Sequence, residues 1–282
     1  MSPAAWSCRG RQLVAEKRPL MMGILNVTPD SFSDGGSFLD PPRAVAHALE
    51  LVQEGADIID IGGESTRPGS DAVTAAEECR RVLPVIEQIS AQSDVALSID
   101  TTKAHVAREA LAAGVHIIND VSALTHDPEM ATVASDGRAG VVLMHKRGAP
   151  KMMQDDPRYD NVVATVHDYL AARVAAARAA GIESEALAVD PGMGFGKTVT
   201  HNLQLLANVK AWRVEGINAL VGLSRKRFIG DVTGASVEHR LAGSLAALVC
   251  CVLAGVEIMR VHDVAASVQA ARMARAIEAE RQ

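Results

Sequence analysis

The stretch Ile58-Ile59-Asp60-Ile61-Gly62-Gly63-Glu64-Ser65-Thr66-Arg67-Pro68-Gly69 contains the pattern that decides the fold. A short β-type run, Ile58–Ile61, breaks into a polar corner dense in glycine and proline. A helical stripe follows, with Cys79, Val82, Leu83, Ile86 and Ile89 on one face. Thr74 and Glu77 stand ahead of it in a capping-box pattern. Outward from this unit, the same order of run, corner and helix recurs along the chain. The other runs are Met22–Leu25, Ala96–Ile99, His116–Ile118, Val141–Met144, Leu187–Val189, Leu220–Leu223 and Ile258–Val261. These eight starts lie about 34 residues apart on average, the length of a βα unit.

The intervening segments read as helices. Val45, Ala48, Leu49 and Val52 share a face, and Gly55 stands where a C′ glycine belongs. Asp127 and Pro128 suggest an N-cap and first helical residue. Further helices are predicted at about 160–180, 201–213, 237–254 and 264–279. Strands alternating with helices imply a parallel sheet, and eight of them favour an α/β fold closed as a single (β/α)8 TIM barrel. A doubly wound open sheet is the competing arrangement. The chain has 282 residues, ample for a barrel of about 250. Residues 1–282 are read as one domain. Residues 1–21 form an N-terminal extension or β-hairpin that plugs the far end around Trp6 and Leu13-Val14.

Composition narrows the function. Hydrophobic residues make up 48% of the chain and aromatics 3%, which suits a barrel core and disfavours base stacking. A net charge of −6 offers no general attraction to nucleic acid or anionic membrane. No CxxC or Cys/His ligand spacing joins Cys8, Cys79, Cys250 and Cys251; the adjacent pair Cys250–Cys251 in an apolar helical run reads as buried free thiols. A reducing, cytoplasmic setting is expected. Arg9, Arg11, Glu16, Lys17 and Arg18 interrupt any signal-peptide h-region, and the apolar run Leu241–Val256 is too short to span a bilayer.

In a barrel, chemistry gathers where the strands end. Those positions hold Asn26, Thr66 and Arg67, Asp100, Asn119, His145, Asp190, Ser224 with Lys226, and Arg260 with His262. Cap and turn roles explain any one of them, and for Asp100 alone a cap is as good a reading as a functional one. Eight coincidences on one face are harder to dismiss. Arg67, Lys226, Arg260 and His262 place positive charge at one end of an acidic protein, as a phosphate-bearing substrate requires. Asp100 and Asp190 suit a flat heterocycle that presents neighbouring N–H groups. Gly192-Met193-Gly194-Phe195-Gly196-Lys197-Thr198 is neither a P-loop nor GxGxxG and reads as a flexible loop over a ligand, with Lys197 in solvent. The loops Val27–Asp40, carrying Phe32, and Gly62–Ala72 are long enough to close over a substrate.

Asn26-Val27-Thr28-Pro29-Asp30-Ser31-Phe32-Ser33-Asp34-Gly35-Gly36 and Gly62-Gly63-Glu64-Ser65-Thr66-Arg67-Pro68-Gly69 closely resemble the dihydropteroate synthase family. So do Ile99-Asp100-Thr101, Ile118-Asn119-Asp120, Asp190-Pro191-Gly192, Ser224-Arg225-Lys226 and Arg260-Val261-His262-Asp263 in order and spacing. The resemblance implies condensation of 6-hydroxymethyl-7,8-dihydropterin pyrophosphate with p-aminobenzoate by an SN1-like route, inhibited by sulfonamides. It implies a pterin site of Asp100, Asn119, Asp190, Lys226 and Met144, and pyrophosphate held by Asn26, Arg67, Arg260 and His262. Thr66, Pro68, Phe195, Ser224 and Lys226 would border p-aminobenzoate, with Asp100, Lys226 and Asn26 nearest the chemistry. Mg²⁺ would be bound through the phosphates and Asn26, and the protein would be a homodimer. One departure is Lys146-Arg147 after His145, where a neutral residue is usual; the extra charge is expected in solvent. A related class, which passes a methyl group from methyltetrahydrofolate to a corrinoid protein, would keep Asp100, Asn119 and Asp190 but has no use for Arg67, Arg260 and His262.

Overall fold

A computed structural model describes residues 5–28, 40–64, 73–148 and 157–281. The hairpin is present: β1 (Trp6–Cys8) pairs antiparallel with β2 (Arg11–Leu13). The barrel strands are β3 (Leu20–Asn26), β4 (Ile58–Gly62), β5 (Ala96–Asp100), β6 (Ile117–Asp120), β7 (Gly140–Met144), β8 (Leu187–Asp190), β9 (Asn218–Gly222) and β10 (Ile258–Val261). Each lies parallel to its neighbours in chain order, and β10 closes onto β3. All eight predicted runs are barrel strands, and the closed barrel rules out the open sheet.

The helices are α1 (Pro41–Gln53), α2 (Ala75–Gln92), α3 (Ala104–Ala112), α4 (Met130–Asp136), α5 (Val162–Ala179), α6 (Val199–Ala207), α7 (Val209–Trp212), α8 (Arg227–Thr233), α9 (Leu241–Leu253) and α10 (Val264–Ala279). Helix α1 ends as its sequence indicates: Gly55 takes φ +103°, its N–H donates to Val52 O, and the Ala56 N–H donates to Leu51 O. Other signals resolve differently. Thr74 accepts from Glu77 N at 3.2 Å, but the Glu77 carboxylate turns to Arg80 and Arg81, so half of the expected capping box forms. Helix α4 begins at Met130 rather than Pro128, and Asp127 instead accepts from Ala104 N at 2.8 Å, capping α3. The segment predicted at 201–213 breaks at Asn208 into α6 and α7. The one predicted at 237–254 is a 3₁₀ turn, Val237–His239, followed by α9. The short α8 has no apolar stripe long enough to announce it.

Two-residue alternation divides the strand side chains between two cores. Leu25, Ile59, Ile61, Leu97, Ile99 and Ile118 belong to the large core shared with the helices. Inside the barrel, Leu20, Met22, Ile58, Ala96, Ile117, Val142, Ala188, Leu220 and Ile258 form a separate apolar floor. Trp6 and Cys8 of the hairpin pack into that floor, and Trp6 Nε1 donates to Ala186 O at 2.9 Å. Arg11 donates to Asp94 Oδ1 at 2.6 Å and to His116 Nε2 at 2.8 Å, tying the hairpin to the barrel rim. Cys8, Cys79 and Cys251 are buried, but Cys250 is exposed, because one face of α9 points outward. Among the described residues, no helix is long and apolar enough to cross a membrane.

Candidate active site

Above the apolar floor, the same inward-facing positions become polar. Across β3, β4, β5 and β6 the register aligns Asn26 with Gly62, Gly62 with Asp100, and Asp100 with Asn119. Gly62 leaves the middle of this row open: a Cβ there would meet Asp100 Cβ at 3.7 Å and Asn26 Oδ1 at 3.8 Å. Arg260 reaches in from β10, where Nε donates to Asp60 Oδ2 at 2.6 Å and Nη2 donates to Asp100 Oδ2 at 2.9 Å. Asn119 Nδ2 donates to the same Asp60 oxygen at 3.0 Å. Asp60 Oδ1 and its register neighbour Ser98 Oγ are buried without a hydrogen-bond partner. Such groups are costly unless a ligand or water satisfies them.

Asp60 and Ser98 are additions to the residues read from sequence. The signal was available: Asp60 is a carboxylate inside an apolar strand run, at the same inward parity as Ile58. Reading only strand ends passed over it. The cap reading of Asp100 also falls away, because Asp127 caps α3. Burial pushes Asp100 up to about 7, opposed by Arg260 and assisted by Asp60. Burial opposes the charge of Arg260, but Asp60 and Asp100 hold its pKa above the ordinary value.

The opposite wall comes from β7, β8 and β9. Met144, buried at the top of β7, pairs in register with Asp190. Asp190 Oδ1 accepts from Gly192 N at 2.7 Å, and burial raises the carboxyl to about 6 against that bond. Gly222 leaves space between Arg260 and Asp190, since a Cβ there would lie 3.8 Å from Arg260 Cδ and 4.0 Å from Asp190 Oδ2. Lys226 Nζ sits 4.2 Å from the centroid of the Phe195 ring. Burial and Arg260 lower Lys226 to about 8, while Asp190 and Asp100 favour its charge.

The Gly192–Thr198 segment is not a loose cover, and Lys197 is not in solvent. Its side chain is buried, and Nζ donates to Gly192 O at 2.9 Å, Phe195 O at 3.0 Å and His145 Nδ1 at 3.0 Å. Gly192, Gly194 and Gly196 all adopt positive φ, which lets the backbone wrap around that ammonium. A Cβ on Gly192 would fall 1.9 Å from His145 O, so the two loops meet there with no space for a side chain. His145 accordingly faces Lys197 instead of the open mouth, and burial followed by the Lys197 charge lowers it to about 3. Arg147 is exposed, as expected, and lies 4.9 Å from the centre of the Tyr159 ring, whereas Lys146 is half-buried.

The last two loops are stitched together. Ser224 Oγ accepts from His262 N at 3.2 Å and lies 3.1 Å from His262 Nδ1. Arg225 forms a two-point ion pair with Asp263. Burial and the neighbouring Arg260 lower His262 to about 4, so it enters the site as a neutral imidazole and not as one of the expected cations. Of the residues flanking the second long loop, Glu64 Oε1 accepts from Val73 N at 3.1 Å, and Lys103 bridges Glu64 to the buried Glu78. Thr66, Arg67, Pro68 and Phe32 lie outside the described residues.

A family model described as "Pterin binding enzyme" matches residues 22–262. The dihydropteroate synthase of Escherichia coli K12 is 46% identical over 258 residues, covering 92% of this chain and 91% of its own. The Xanthomonas albilineans dihydropteroate synthase, solved with 4-aminobenzoic acid, superposes with a TM-score of 0.92 at 49% identity, covering 99% of this chain and all of the other. The same enzyme in complex with 7,8-dihydropteroate gives 0.88 at 48% identity, covering 97% and 98%. With its polar barrel mouth and these relatives, the chain belongs to the pterin-binding enzymes, in the dihydropteroate synthase family of transferases.

Proposed function

We propose that the chain joins 6-hydroxymethyl-7,8-dihydropterin pyrophosphate to p-aminobenzoate, giving 7,8-dihydropteroate and pyrophosphate. The observation that carries this is the Asp60–Arg260–Asp100 cluster, which leaves buried acceptors open beneath two glycine gaps. A flat heterocycle rich in N–H groups satisfies those acceptors, whereas an apolar ligand leaves them unpaired. Asp100, Asn119, Asp190, Lys226 and Met144 would hold the pterin, with Asp60 beneath it. Asn26, Arg67, Arg260 and His262 would hold the pyrophosphate, His262 donating through Nε2–H. Thr66, Pro68, Phe195, Ser224 and Lys226 would border p-aminobenzoate, the place where sulfonamides compete.

The chemistry is dissociative. The C–O bond to pyrophosphate breaks first, and the pterin methylene carries the positive charge until the aniline nitrogen attacks. Asp100, ionised once a pterin N–H replaces solvent at its open oxygen, stabilises that cation electrostatically. Arg260 then faces a leaving group that gains charge as the bond lengthens. Once bonded, the nitrogen is an acidic anilinium and passes its proton to solvent or to the released pyrophosphate, without a dedicated side-chain base. Among the described residues, no cluster of His, Cys, Asp and Glu is built to hold a metal by itself. A lone amide oxygen from Asn26 fits Mg²⁺ carried in on the substrate phosphates, because that ion keeps several non-protein ligands. When bound, it would neutralise charge on the leaving group.

A homodimer is supported by exposed apolar side chains on neighbouring helices: Leu203 of α6, Val232 of α8, Leu241 of α9, and Met273 and Ile277 of α10. The decisive experiment is pyrophosphate release with dihydropterin pyrophosphate and Mg²⁺, with and without p-aminobenzoate. Release that depends on p-aminobenzoate, matched by dihydropteroate, supports the reading. Pterin binding with no release at any Mg²⁺ concentration points to a silent paralogue, and methyl transfer to a corrinoid protein to the related class.

A further inference from the structure

We infer that Lys197 is a positioning residue for the p-aminobenzoate side of the site, acting through the Phe195 ring. The inference rests on the proposed placement of p-aminobenzoate beside Phe195. An ammonium has three donors and no lone pair. Here Nζ meets the carbonyls of Gly192 and Phe195 at 2.9 and 3.0 Å, His145 Nδ1 at 3.0 Å and, at 3.4 Å, His145 O. One side chain thereby joins the loop after β7 to both ends of the turn that presents Phe195.

No carboxylate lies within ion-pair distance of Lys197 among the described residues, and burial, seconded by Lys226, lowers its pKa to about 7 against the opposing field of Asp190. Burying an ammonium on neutral acceptors alone is unfavourable compared with filling the same space by an apolar side chain. Its retention therefore needs a reason other than packing, and the geometry supplies one. Gly192 O also accepts from Phe195 N at 3.1 Å, so the carbonyl that Lys197 grips is the one that closes the turn beneath the ring. Further supports lie to either side of Phe195: Gly194 N donates to Asn202 Oδ1 at 2.8 Å, and Tyr159 Oη donates to Gly196 O at 2.9 Å. Among the described residues, Lys197 is the side chain that hydrogen-bonds the backbone of Phe195 itself. The ring it steadies faces Lys226 Nζ at 4.2 Å, at the edge of the mouth.

The test is steady-state kinetics on the full chain carrying Lys197→Met, Lys197→Arg, Phe195→Ala or the Lys197→Met/Phe195→Ala pair, with dihydropterin pyrophosphate binding measured by calorimetry. Lys197→Met is expected to raise KM for p-aminobenzoate about tenfold, with kcat within about threefold and pterin affinity within about twofold. Lys197→Arg should shift KM in the same direction, because a planar guanidinium cannot replace three converging N–H bonds. In the Phe195→Ala background the Lys197→Met effect should vanish, since both act through one ring. Fully additive effects, or an equal loss of pterin affinity, would overturn the inference and leave Lys197 a general structural residue. Phe195→Ala raising KM while Lys197→Met leaves it unchanged would also overturn it, without touching the p-aminobenzoate placement. Phe195→Ala leaving KM unchanged removes that placement and this inference together. If Lys197→Met does not fold, Lys197→Arg carries the same comparison.

Discussion

The floor and the mouth of the barrel interior are made by the same strands, one or two residues apart, and they obey opposite rules. On β4, Ile58 belongs to the dry floor under Trp6, and Asp60, the next inward residue, is a buried carboxylate with one oxygen unpaired. On β10, Ile258 closes the floor and Arg260 bridges two carboxylates. The floor stabilises the fold by burying apolar surface and leaves nothing unsatisfied. In the mouth, charges are buried at a cost and their acceptors left open, which is how a binding site differs from a core.

The floor is the place for the largest effect on stability. Trp6→Ala removes a fully buried ring and its hydrogen bond to Ala186 O. It should lower stability by about 3–5 kcal/mol, while the folded fraction keeps kcat/KM within about threefold. Denaturant unfolding alongside kinetics checks this. A selective loss of activity at full stability would mean that the plug shapes the site as well as the core.

The mouth should respond the other way. Asp100→Asn removes a carboxyl that burial already pushes towards neutrality. It should reduce kcat/KM by about 10²–10³-fold, about 3–4 kcal/mol of transition-state stabilisation, with the melting temperature unchanged or raised. A variant that is both destabilised and active would make Asp100 a structural partner of Arg260 and nothing more. Smaller again is Gly62→Ala. The added methyl meets Asp100 and Asn26 at ordinary contact distances, so folding should change by no more than about 1 kcal/mol. Pterin pyrophosphate affinity should nevertheless fall about tenfold, about 1.4 kcal/mol, because the gap belongs to the ligand. Unchanged affinity by calorimetry would show that the space between those side chains is not used.

These contrasts explain which parts of the molecule are legible in the sequence. Strand-end residues such as Asn26, Asp100, Asn119 and Asp190 were legible because the fold places every strand end on one face. The strands were legible as apolar runs and the plug as an N-terminal extension or hairpin around Trp6. Asp60 escaped because it is not at a strand end, although its parity was there to be counted. Lys197 could not be read: its burial depends on loops 52 residues apart converging on one point, as its contact with His145 shows. The positive charge expected of His262 is absent in the ligand-free site for the same reason, since the burial and the Arg260 field that lower its pKa are tertiary. Cys250 and Cys251, adjacent and alike in sequence, differ only in which side of α9 each occupies.

The pH dependence of Asp100 is the most direct probe of the mouth. Asp100 has its folded pKa raised from an ordinary 3.8 to about 7, with burial the main cause. A carboxyl raised in the folded state contributes stability below its unfolded pKa, and that contribution is lost as pH rises towards about 7. The ligand-free protein should therefore give up stability from this group between about pH 4 and 7. Ligand binding has the opposite sign, because the ionised carboxylate accepts a pterin N–H at its open oxygen, where the protonated form would present its own O–H. Affinity for the pterin pyrophosphate should climb as pH rises from 6 and level off above about 7, gaining at most about tenfold per unit. Below pH 7, binding should release a proton. Calorimetry in two buffers of different ionisation enthalpy measures that release directly. Asp190, raised to about 6, would add to it only at the acidic end. A flat affinity from pH 6 to 8 with no proton released would show that Arg260 outweighs burial and keeps Asp100 charged before the ligand arrives. The mouth would then be held open by a preformed ion pair, and the two ends of the barrel would differ in polarity alone.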